Sequence, residues 1–450
     1  MNLKAVIKTK DGPTRPIQIK DSIRQGGVLS VIQYATVMDE IAKEIEKRNI
    51  GVPIPNSNRR IGCLLWMDDV VLLAENEKDL QEMLTITKKT ADKYHIVFGQ
   101  EKSKTMNTTT KANKESKIMG EMMLEETAKY KYLGELITKR GTLIPQIEEA
   151  ERKAQATLQT ILTIAGDPTM KGIQMDTMWK LVETCIIPTI TYGSETWEMN
   201  KKETQLSNRT LDNILKRILM LPTSTPREAL YIETGILDIE HTITKNRIST
   251  HCRLEETKNE LLSIIMDSNT KNSWKMKTKE MEKELALENI ELETKGKQKR
   301  NIHSTIQNEF KTKLEAAANS KSKVKHLIDG KVEWTQGTRE KYMTELTRTE
   351  TSTIFKARTR MLDIKNNFRG KYQTMECRGC GKEDETQEHV FNQCTGIHTT
   401  EESKIKNEEI FSTDTRALRR TTVKIQSTLE RLKSEVHSNA QPGDPGDLTT

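Results

Sequence analysis

The chain has 450 residues and a mass of 51.6 kDa, which is room for about two to four domains. Hydrophobic residues make up 34%, charged residues 30% and aromatic residues 4%, and the mean hydropathy is −0.68. No apolar run approaches the length of about 20 residues that a membrane span needs, and the first residues lack the apolar core of a secretory signal. These features exclude collagen-like, disulfide-scaffold and integral membrane proteins, and they predict a modest core surrounded by solvated helices.

The net charge is +7 and the isoelectric point is about 8.8. This mild excess of positive charge is compatible with a nucleic-acid partner but does not demonstrate one, because many lysines alternate with glutamates on solvated helix faces. The six cysteines are too few for a disulfide scaffold, and three of them fall within eighteen residues. Such crowding indicates a metal site in a reducing compartment.

The sequence pattern of residues 1–110 predicts a mixture of helix and strand. Apolar spacing predicts a helix over Leu29–Arg48 and an amphipathic helix over Glu77–Tyr94. Between them, Ile61–Leu73 consists of two apolar runs separated by an acidic pair. The polar, Lys/Thr-rich residues 105–128 predict a surface loop.

The remainder of the chain is predicted to be mostly helical. Residues 130–137 are strand-like, and 144–250 have a helical pattern broken at glycines and prolines. Residues 252–360 are highly charged and predict solvated helices. A last helix is expected over Ala417–Val436, followed by a disordered tail over Asn439–Thr450.

The acidic pair is Asp68-Asp69. Two adjacent carboxylates beside apolar strands repel each other, so a hairpin turn that presents them to Mg²⁺ would relieve their repulsion. Two such ions, held about 3.5–4 Å apart, can drive nucleotidyl transfer by activating a hydroxyl and stabilising pyrophosphate. A solvated turn between two half-buried strands is the alternative for the pair taken alone.

Other motifs accompany the pair in a fixed order. Arg24–Ser30 (RQGGVLS) precedes Trp66–Asp69 (WMDD), and Phe98–Lys104 (FGQEKSK) and Tyr130–Gly134 (YKYLG) follow it. In this order and spacing, the set resembles reverse transcriptases of non-LTR, LINE-type retrotransposons, in which the segments are palm motifs B, C, D and E. The resemblance covers about residues 1–250 and the cysteine-rich segment described below.

The resemblance implies a role for each matching residue. Asp68 would be the principal Mg²⁺ ligand and Asp69 its weaker neighbour, and Lys102 would neutralise the triphosphate or give a proton to pyrophosphate. The nucleotide and template pocket would be lined by Arg24, Gln25 and Gly26. The primer end would be held by Tyr132, Leu133 and Gly134.

Motif A, which supplies a further metal-bridging Asp in this family, precedes motif B. Before Arg24 the carboxylates are Asp11 and Asp21, and neither has a motif A setting. The fingers and motif A are therefore expected to be missing. The two-metal site would then be incomplete, and this chain is predicted to be a weak or inactive polymerase.

The cysteine-rich segment has the spacing Cys377-x₂-Cys380-x₈-His389-x₄-Cys394. Three thiolates and one imidazole predict a tetrahedral Zn²⁺ site, with a purely structural zinc clip as the alternative to a nucleic-acid contact. Nearby basic residues would either meet phosphates or form a solvated face. They are Arg358, Arg360, Lys365, Arg369 and Lys371. Cys63 and Cys185 lie in apolar runs and are predicted to be core thiols.

The expected fold class is α+β: a partial polymerase palm with motifs B to E, then a mostly helical thumb and linker region and a small zinc module. Five parts are predicted. They are a partial palm (1–140), a thumb-like helical region (141–250), a charged helical linker region (251–370), the zinc module (371–400), and a helix with a disordered tail (401–450).

The predicted function is that of an N-terminally truncated retrotransposon reverse transcriptase. The resemblance implies an RNA template, a DNA primer, deoxynucleoside triphosphates, Mg²⁺ and Zn²⁺, with nuclear or cytoplasmic localisation, no membrane, and the oligomeric state left open. One alternative is a non-catalytic nucleic-acid-binding remnant of the element. Another is an unstable pseudogene product.

Overall fold

The computed structural model describes residues 3–19, 29–109, 117–167, 172–268, 273–288, 290, 293–330 and 337–438. The described residues are a mixture of helix and strand, and 57% of them are helical. It divides into two compact units. The first comprises residues 1–142 with 254–277, and the second comprises residues 143–253 with 278–450.

The described strands all lie in the first unit. They are β1 (Leu3–Ala5), β2 (Lys8–Thr9), β3 (Gly12–Pro13), β4 (Ile17–Ile19), β5 (Val52–Pro53), β6 (Arg60–Ile61), β7 (Cys63–Trp66), β8 (Asp69–Leu72), β9 (Lys104–Thr105), β10 (Lys117–Met119), β11 (Met122–Glu126), β12 (Lys129–Tyr132) and β13 (Glu135–Thr138). Antiparallel pairs form between β1 and β4, β2 and β3, β5 and β6, β7 and β8, and β12 and β13. In a three-stranded sheet, β11 lies between β10, which is antiparallel, and β9, which is parallel.

Helices occur in both units. They are α1 (Ser30–Glu46), α2 (Glu77–Lys93), α3 (Ile144–Ala165), α4 (Met175–Leu181), α5 (Ile187–Ile190), α6 (Lys201–Ile218), α7 (Arg227–Thr234), α8 (Ile239–Glu255), α9 (Glu260–Asp267), α10 (Trp274–Glu284), α11 (Lys295–Ala318), α12 (Ser322–Asp329), α13 (Tyr342–Glu345), α14 (Arg348–Arg358), α15 (Asn407–Ile410) and α16 (Thr415–Ser438). Short 3₁₀ turns lie at Ser194–Thr196, Lys365–Lys371 and Glu401–Ser403, and π turns at Val182–Ile186 and His389–Gln393.

The core of the first unit is small. Met38, Ile41 and Ile45 recur at helical spacing along α1 and pack with Met83 of α2. Helix α2 begins where the Asn76 side chain accepts a hydrogen bond of 2.9 Å from the amide of Asp79, which satisfies one of the free amide groups of the first turn. These two helices support β7 and β8 and so position the acidic pair.

The prediction of a surface loop over residues 105–128 was wrong for the part that the structure describes. Strands β10 and β11 form a hairpin there, with Gly120 at φ +66° in the turn. Met119 and Leu124 are buried against Leu84 of α2. The many lysines and threonines conceal this weak apolar pattern, because only a few large side chains of the hairpin face the core.

The second unit has the larger core, built almost entirely from helices. Helix α6 starts with a capping box between Asn200 and Glu203 and buries a long apolar stripe. Helix α11 contributes a second buried stripe at spacings of four residues, and Trp179 is fully buried. The two stripes are Leu211, Ile214, Leu215 and Ile218 on α6, and Ile302, Ile306, Phe310 and Leu314 on α11.

Several sequence predictions are confirmed. Helices α1 and α2 lie within the predicted 29–48 and 77–94, the region 144–250 is helical, and α16 contains the predicted 417–436. The segment 130–137 is a hairpin of two strands. The predicted disordered tail, 439–450, lies outside the described residues, and the five-part division of the chain stays a prediction. No helix in the described part of the chain combines the length and apolarity needed to cross a membrane.

Candidate active-site hairpin and Cys/His metal centre

The acidic pair lies at the tip of the hairpin formed by β7 and β8. Trp66 pairs with Asp69, so Met67 and Asp68 form a two-residue turn. Met67 has φ +53°, in the left-handed region that usually requires glycine. A positive φ at the first central residue is the property of type II′ hairpin turns. The backbone is therefore strained at Met67, directly before the two carboxylates.

Alternation along β7 anchors one face of this hairpin. Cys63 and Leu65 pack against the α1–α2 core, whereas Leu64 and Trp66 are exposed. Asp68 and Asp69 are also exposed. The carboxylates thus stand at the solvent end of a hairpin whose other face is held by apolar contacts. Of the two predicted core thiols, Cys63 is partly buried, and burial raises its pKa to about 12.

Two tyrosines lie within electrostatic reach of the acidic pair. Burial raises the pKa of Tyr34, on α1, and the Asp68 carboxylate raises it further. Burial raises the pKa of Tyr132 at the end of β12, and the Asp69 carboxylate adds to this effect. The charge of the acidic pair therefore acts on Tyr132 in the folded chain. Sequence reasoning missed Tyr34. This residue lies four positions before Met38 on α1 and packs against the same core behind the hairpin.

The predicted motif D and motif E residues are joined to one another. The Tyr130 hydroxyl donates a hydrogen bond of 2.9 Å to the carbonyl of Lys102, whose side chain is exposed in a turn before β9. Leu133 and Gly134 form the two-residue turn between β12 and β13, with φ of +48° and +89°. Positive φ at both central residues is the requirement of a type I′ turn.

Arg24, Gln25 and Gly26 lie outside the described residues, as does Asp21. Asp11 is exposed in the turn between β2 and β3. Within the described ranges, Asp68 and Asp69 belong to no group of three or more acidic, histidine or cysteine side chains with converging ligand atoms.

Among the described residues, one group of acidic, histidine or cysteine side chains has converging ligand atoms, and it comprises the four predicted zinc ligands. The ligand atoms of Cys377, Cys380, His389 and Cys394 lie within 4.8 Å of one another. The Sγ atoms of Cys377 and Cys394 are 3.6 Å apart, and Sγ of Cys380 is 3.3 Å from Nε2 of His389. Tetrahedral zinc with bonds of about 2.0–2.3 Å places neighbouring ligand atoms about 3.5–3.8 Å apart. The donor set and its spacing therefore fit Zn²⁺.

The backbone around the cluster is tightly folded. The Gly379 amide points to Sγ of Cys377 at 3.4 Å, and a Cβ on Gly379 would come within 3.1 Å of Sγ of Cys394. The Thr386 hydroxyl accepts a hydrogen bond of 3.0 Å from the amide of His389. A glycine at 379 and a threonine three residues before the histidine are thus both needed by this geometry.

The surroundings of the cluster act differently on its thiols. Burial and the neighbouring Cys377 raise the pKa of Cys394 to about 12. Burial also acts on Cys380, but amide hydrogen bonds from Lys382 and Glu383 lower its pKa to about 7. A carboxylate oxygen of Glu383 lies 3.0 Å from Nδ1 of His389, the position from which a carboxylate orients a metal-binding imidazole. Sequence reasoning missed Glu383, although it is an acidic residue in the gap between the second cysteine and the histidine.

The prediction that Arg358 could meet phosphates was wrong. Its side chain is only 1% exposed and lies 3.4 Å from the Glu233 carboxylate, itself fully buried. Lys365 donates to the carbonyl of Glu376 at 2.7 Å. Three of the basic residues are exposed, and for them both alternatives remain open. They are Arg360, Arg369 and Lys371.

Part of the first unit is similar to known proteins. Residues 2–137 match the family described as reverse transcriptase (RNA-dependent DNA polymerase). An uncharacterized transposon-derived protein of Caenorhabditis elegans is 24% identical over 176 residues, which cover 38% of this chain and 61% of the worm protein. Both matches support a retrotransposon reverse transcriptase, and the family match implies a palm-like fold for residues 2–137.

Proposed function

We propose that the β7–β8 hairpin is the metal-binding centre of an RNA-directed DNA polymerase site derived from a non-LTR retrotransposon. The observation that carries this proposal is the exposed Asp68-Asp69 pair at the tip of an anchored hairpin, within the range that matches the reverse transcriptase family. Exposed carboxylate oxygens are the ligands that Mg²⁺ prefers. The reaction class is attack of a primer hydroxyl on a deoxynucleoside triphosphate, with loss of pyrophosphate.

Asp68 would hold Mg²⁺ as the principal ligand, with Asp69 as the weaker one. Bound Mg²⁺ would supply charge stabilisation at the reacting phosphate and activation of the attacking hydroxyl. Lys102 would neutralise the triphosphate or protonate the leaving pyrophosphate. Tyr132, Leu133 and Gly134 would hold the primer end, and the effect of the Asp69 charge on Tyr132 supports a place for this residue near the acidic pair.

The nucleotide and template pocket would be lined by Arg24, Gln25 and Gly26. We assign an RNA template, a DNA primer and deoxynucleoside triphosphates as partners, and the nucleus or cytoplasm as the location. The Cys377, Cys380, His389 and Cys394 cluster would hold one Zn²⁺ as a closed, structural site, because all four tetrahedral positions are protein ligands.

We further propose that catalysis by this chain is slow. Asp68 and Asp69 have no third carboxylate beside them in the described ranges, and a two-metal site with too few ligands binds its ions weakly. The same observation favours a second candidate function, a nucleic-acid-binding remnant without catalysis.

The test is primer extension on an RNA template with Mg²⁺, comparing the wild-type chain, Asp68→Ala and the control Glu121→Ala. Glu121 is an exposed carboxylate in the turn between β10 and β11. Asp68→Ala should reduce extension by about 100-fold or more, the scale of losing one essential charge-stabilising group, whereas Glu121→Ala should not change it.

Extension that survives Asp68→Ala would contradict the proposed site. RNA binding without extension in any of the three proteins would support the binding remnant instead. Extension at rates typical of polymerases in the wild-type chain would contradict the proposed slow turnover.

A further inference from the structure

Several carboxylates lie in the segment that joins Cys380 to His389 within the metal cluster. They belong to Glu383, Asp384, Glu385 and Glu388. A carboxylate beside a metal-binding imidazole can hold the ring in the orientation that the metal needs. The contacts of each carboxylate therefore show whether it acts on the cluster or only on the surrounding fold.

In the described part of the chain, three of these carboxylates are placed away from the ligands. Glu385 is fully buried, and its oxygens accept hydrogen bonds of 2.9 Å from the amides of Lys365 and Arg378. The guanidinium of Arg378 also donates to it, at 2.8 Å. Asp384 and Glu388 are exposed. The charge of Glu385 is thus balanced within the fold, and those of Asp384 and Glu388 are solvated.

Glu383 is the carboxylate that meets a ligand. One of its oxygens lies 3.0 Å from Nδ1 of His389. Nδ1 is buried, and this carboxylate is the partner that the described residues offer it. The other ring nitrogen, Nε2, lies 3.3 Å from Sγ of Cys380 and so points into the cluster. The imidazole is therefore held between a carboxylate on one side and the thiol ligands on the other.

The main chain of Glu383 is bonded to two further ligands. Its amide donates a hydrogen bond to Sγ of Cys380, and its carbonyl accepts one of 2.7 Å from the amide of Cys377. These bonds fix the backbone of Glu383 relative to the cluster and so place its side chain beside the His389 ring. Because they belong to the backbone, a substitution at position 383 can remove the carboxylate and leave them in place.

The contact with Nδ1 determines which ring nitrogen is free for a metal. A neutral imidazole has one nitrogen that carries the proton and one that offers a lone pair. A carboxylate beside Nδ1 favours the form with the proton on Nδ1, which leaves the lone pair of Nε2 for the metal. We propose that Glu383 is a positioning residue that selects this form of His389 and thereby strengthens Zn²⁺ binding by the cluster. The inference rests on the proposed zinc site, but zinc can bind there without Glu383, so the two can fail separately.

The contribution of Glu383 is modest because its carboxylate is open to solvent. Its side chain is 65% exposed, whereas that of His389 is 4% exposed. Loss of an outer partner of a metal ligand weakens metal binding by about 10–100-fold. Screening by solvent places Glu383 at the lower end of this range, at about tenfold.

The experiment measures the Zn²⁺ affinity of the full-length chain by competition with a chelator of known affinity. Glu383→Ala removes both the charge and the hydrogen-bond acceptor and should weaken binding about tenfold. Glu383→Gln keeps an oxygen that can accept the Nδ1 proton, so its affinity should lie between those of Glu383→Ala and the wild type. Glu388→Ala is the matched control, because it removes another exposed carboxylate next to His389 and should keep wild-type affinity.

Nuclear magnetic resonance of isotope-labelled histidine tests the form of the imidazole directly. In the zinc-loaded wild type, His389 should have a protonated Nδ1 and a metal-bound Nε2. The Nδ1 proton signal should persist in Glu383→Gln and should be lost through faster solvent exchange in Glu383→Ala. A wild-type spectrum with Nδ1 bound to the metal would overturn the proposal, as would an Nδ1 proton equally protected in Glu383→Ala.

Melting curves separate this role from a contribution to the fold. With excess chelator, the wild type and Glu383→Ala should melt at the same temperature, because the side chain acts through the bound metal. A lower melting temperature of the zinc-free variant would overturn the proposal, as would equal zinc affinities of Glu383→Ala and Glu388→Ala. A wild-type chain that binds no zinc would reject the zinc site itself and, with it, this role of Glu383. A zinc-binding wild type whose affinity Glu383→Ala leaves unchanged would reject the role of Glu383 alone.

Discussion

The two candidate metal sites of this protein are built in opposite ways. Asp68 and Asp69 are exposed at the tip of a two-stranded hairpin, whereas Cys377, His389 and Cys394 are buried in the core of the second unit. An open site can admit substrate but gains little stability from its ligands, because exposed carboxylates remain solvated. A closed site admits no substrate, and its ligands become part of the fold.

The backbone also differs between the open site and the closed site. The hairpin places a strained residue, Met67, next to its carboxylates and relies on the α1–α2 core for support. Next to the cluster residue His389, Gln387 donates to the carbonyl of Ala357 at 2.9 Å, and Val390 and Phe391 are fully or almost fully buried. Changes at the cluster should therefore affect folding, and changes at the hairpin should mainly affect chemistry.

The largest expected effect comes from the cluster. Cys394→Ser should abolish zinc binding and lower the free energy of unfolding of the second unit by more than about 4 kcal/mol, because loss of a metal is among the few single changes that costs so much. Zinc content by elemental analysis should fall from one ion per chain, and the melting transition should move to the temperature of the chelator-treated wild type.

Cys185→Ser is the matched control. Cys185 is exposed, which contradicts its predicted place in the core, so its replacement should change neither zinc content nor melting. A Cys394→Ser protein that keeps one tightly bound zinc and wild-type stability would show that the cluster is not a metal site.

The second largest effect is expected from breaking a buried ion pair of the second unit. This change tests the stability of the unit without altering a metal ligand. Arg358→Met leaves Glu233 with a buried negative charge and should lower the free energy of unfolding by about 3–5 kcal/mol. Arg358→Met/Glu233→Gln should recover much of this loss, because neither partner is then charged. Chemical denaturation of the two variants checks the difference, and equal destabilisation by both would contradict an ion-pair explanation.

Local chemistry was predictable from the sequence wherever a short motif contains all its partners. The spacing of the four zinc ligands predicted a cluster whose ligand atoms converge, and the acidic pair between two apolar runs predicted a hairpin. Helices α1 and α2 followed from periodic apolar residues, because an amphipathic pattern determines both the helix and its buried face.

Features that depend on distant residues were not predictable. Arg358 is buried because Glu233, 125 residues earlier in the chain, supplies a partner, and no local pattern indicates that pairing. Cys185 lies within the π turn Val182–Ile186 and is exposed, although the residues that follow it are apolar. Glu383 lies beside His389, and the charge of Asp68 acts on Tyr34, only in the folded chain, so both required coordinates.

A smaller effect should come from the hairpin turn. Met67→Val should lower the free energy of unfolding of the first unit by about 1–2 kcal/mol, because a β-branched residue is poorly tolerated at positive φ. Met67→Gly should be neutral or slightly stabilising. The control is Met123→Val on β11, an exposed strand position where valine is well accepted. Equal stability of Met67→Val and Met123→Val would show that the turn is not strained.

The smallest expected effect is a pH dependence confined to the second unit. Burial opposes charging of His241, but its hydrogen bond to Asp238 and the charge of Asp238 outweigh burial and raise its pKa. A group whose pKa is higher in the folded protein stabilises the fold fully below its unfolded pKa of about 6.5, and this stabilisation is lost as the pH rises through the folded value. Between pH 6 and pH 9, the wild-type unit should therefore lose more stability than His241→Gln. Parallel pH profiles for the two proteins, measured by denaturant unfolding, would contradict the raised pKa of His241.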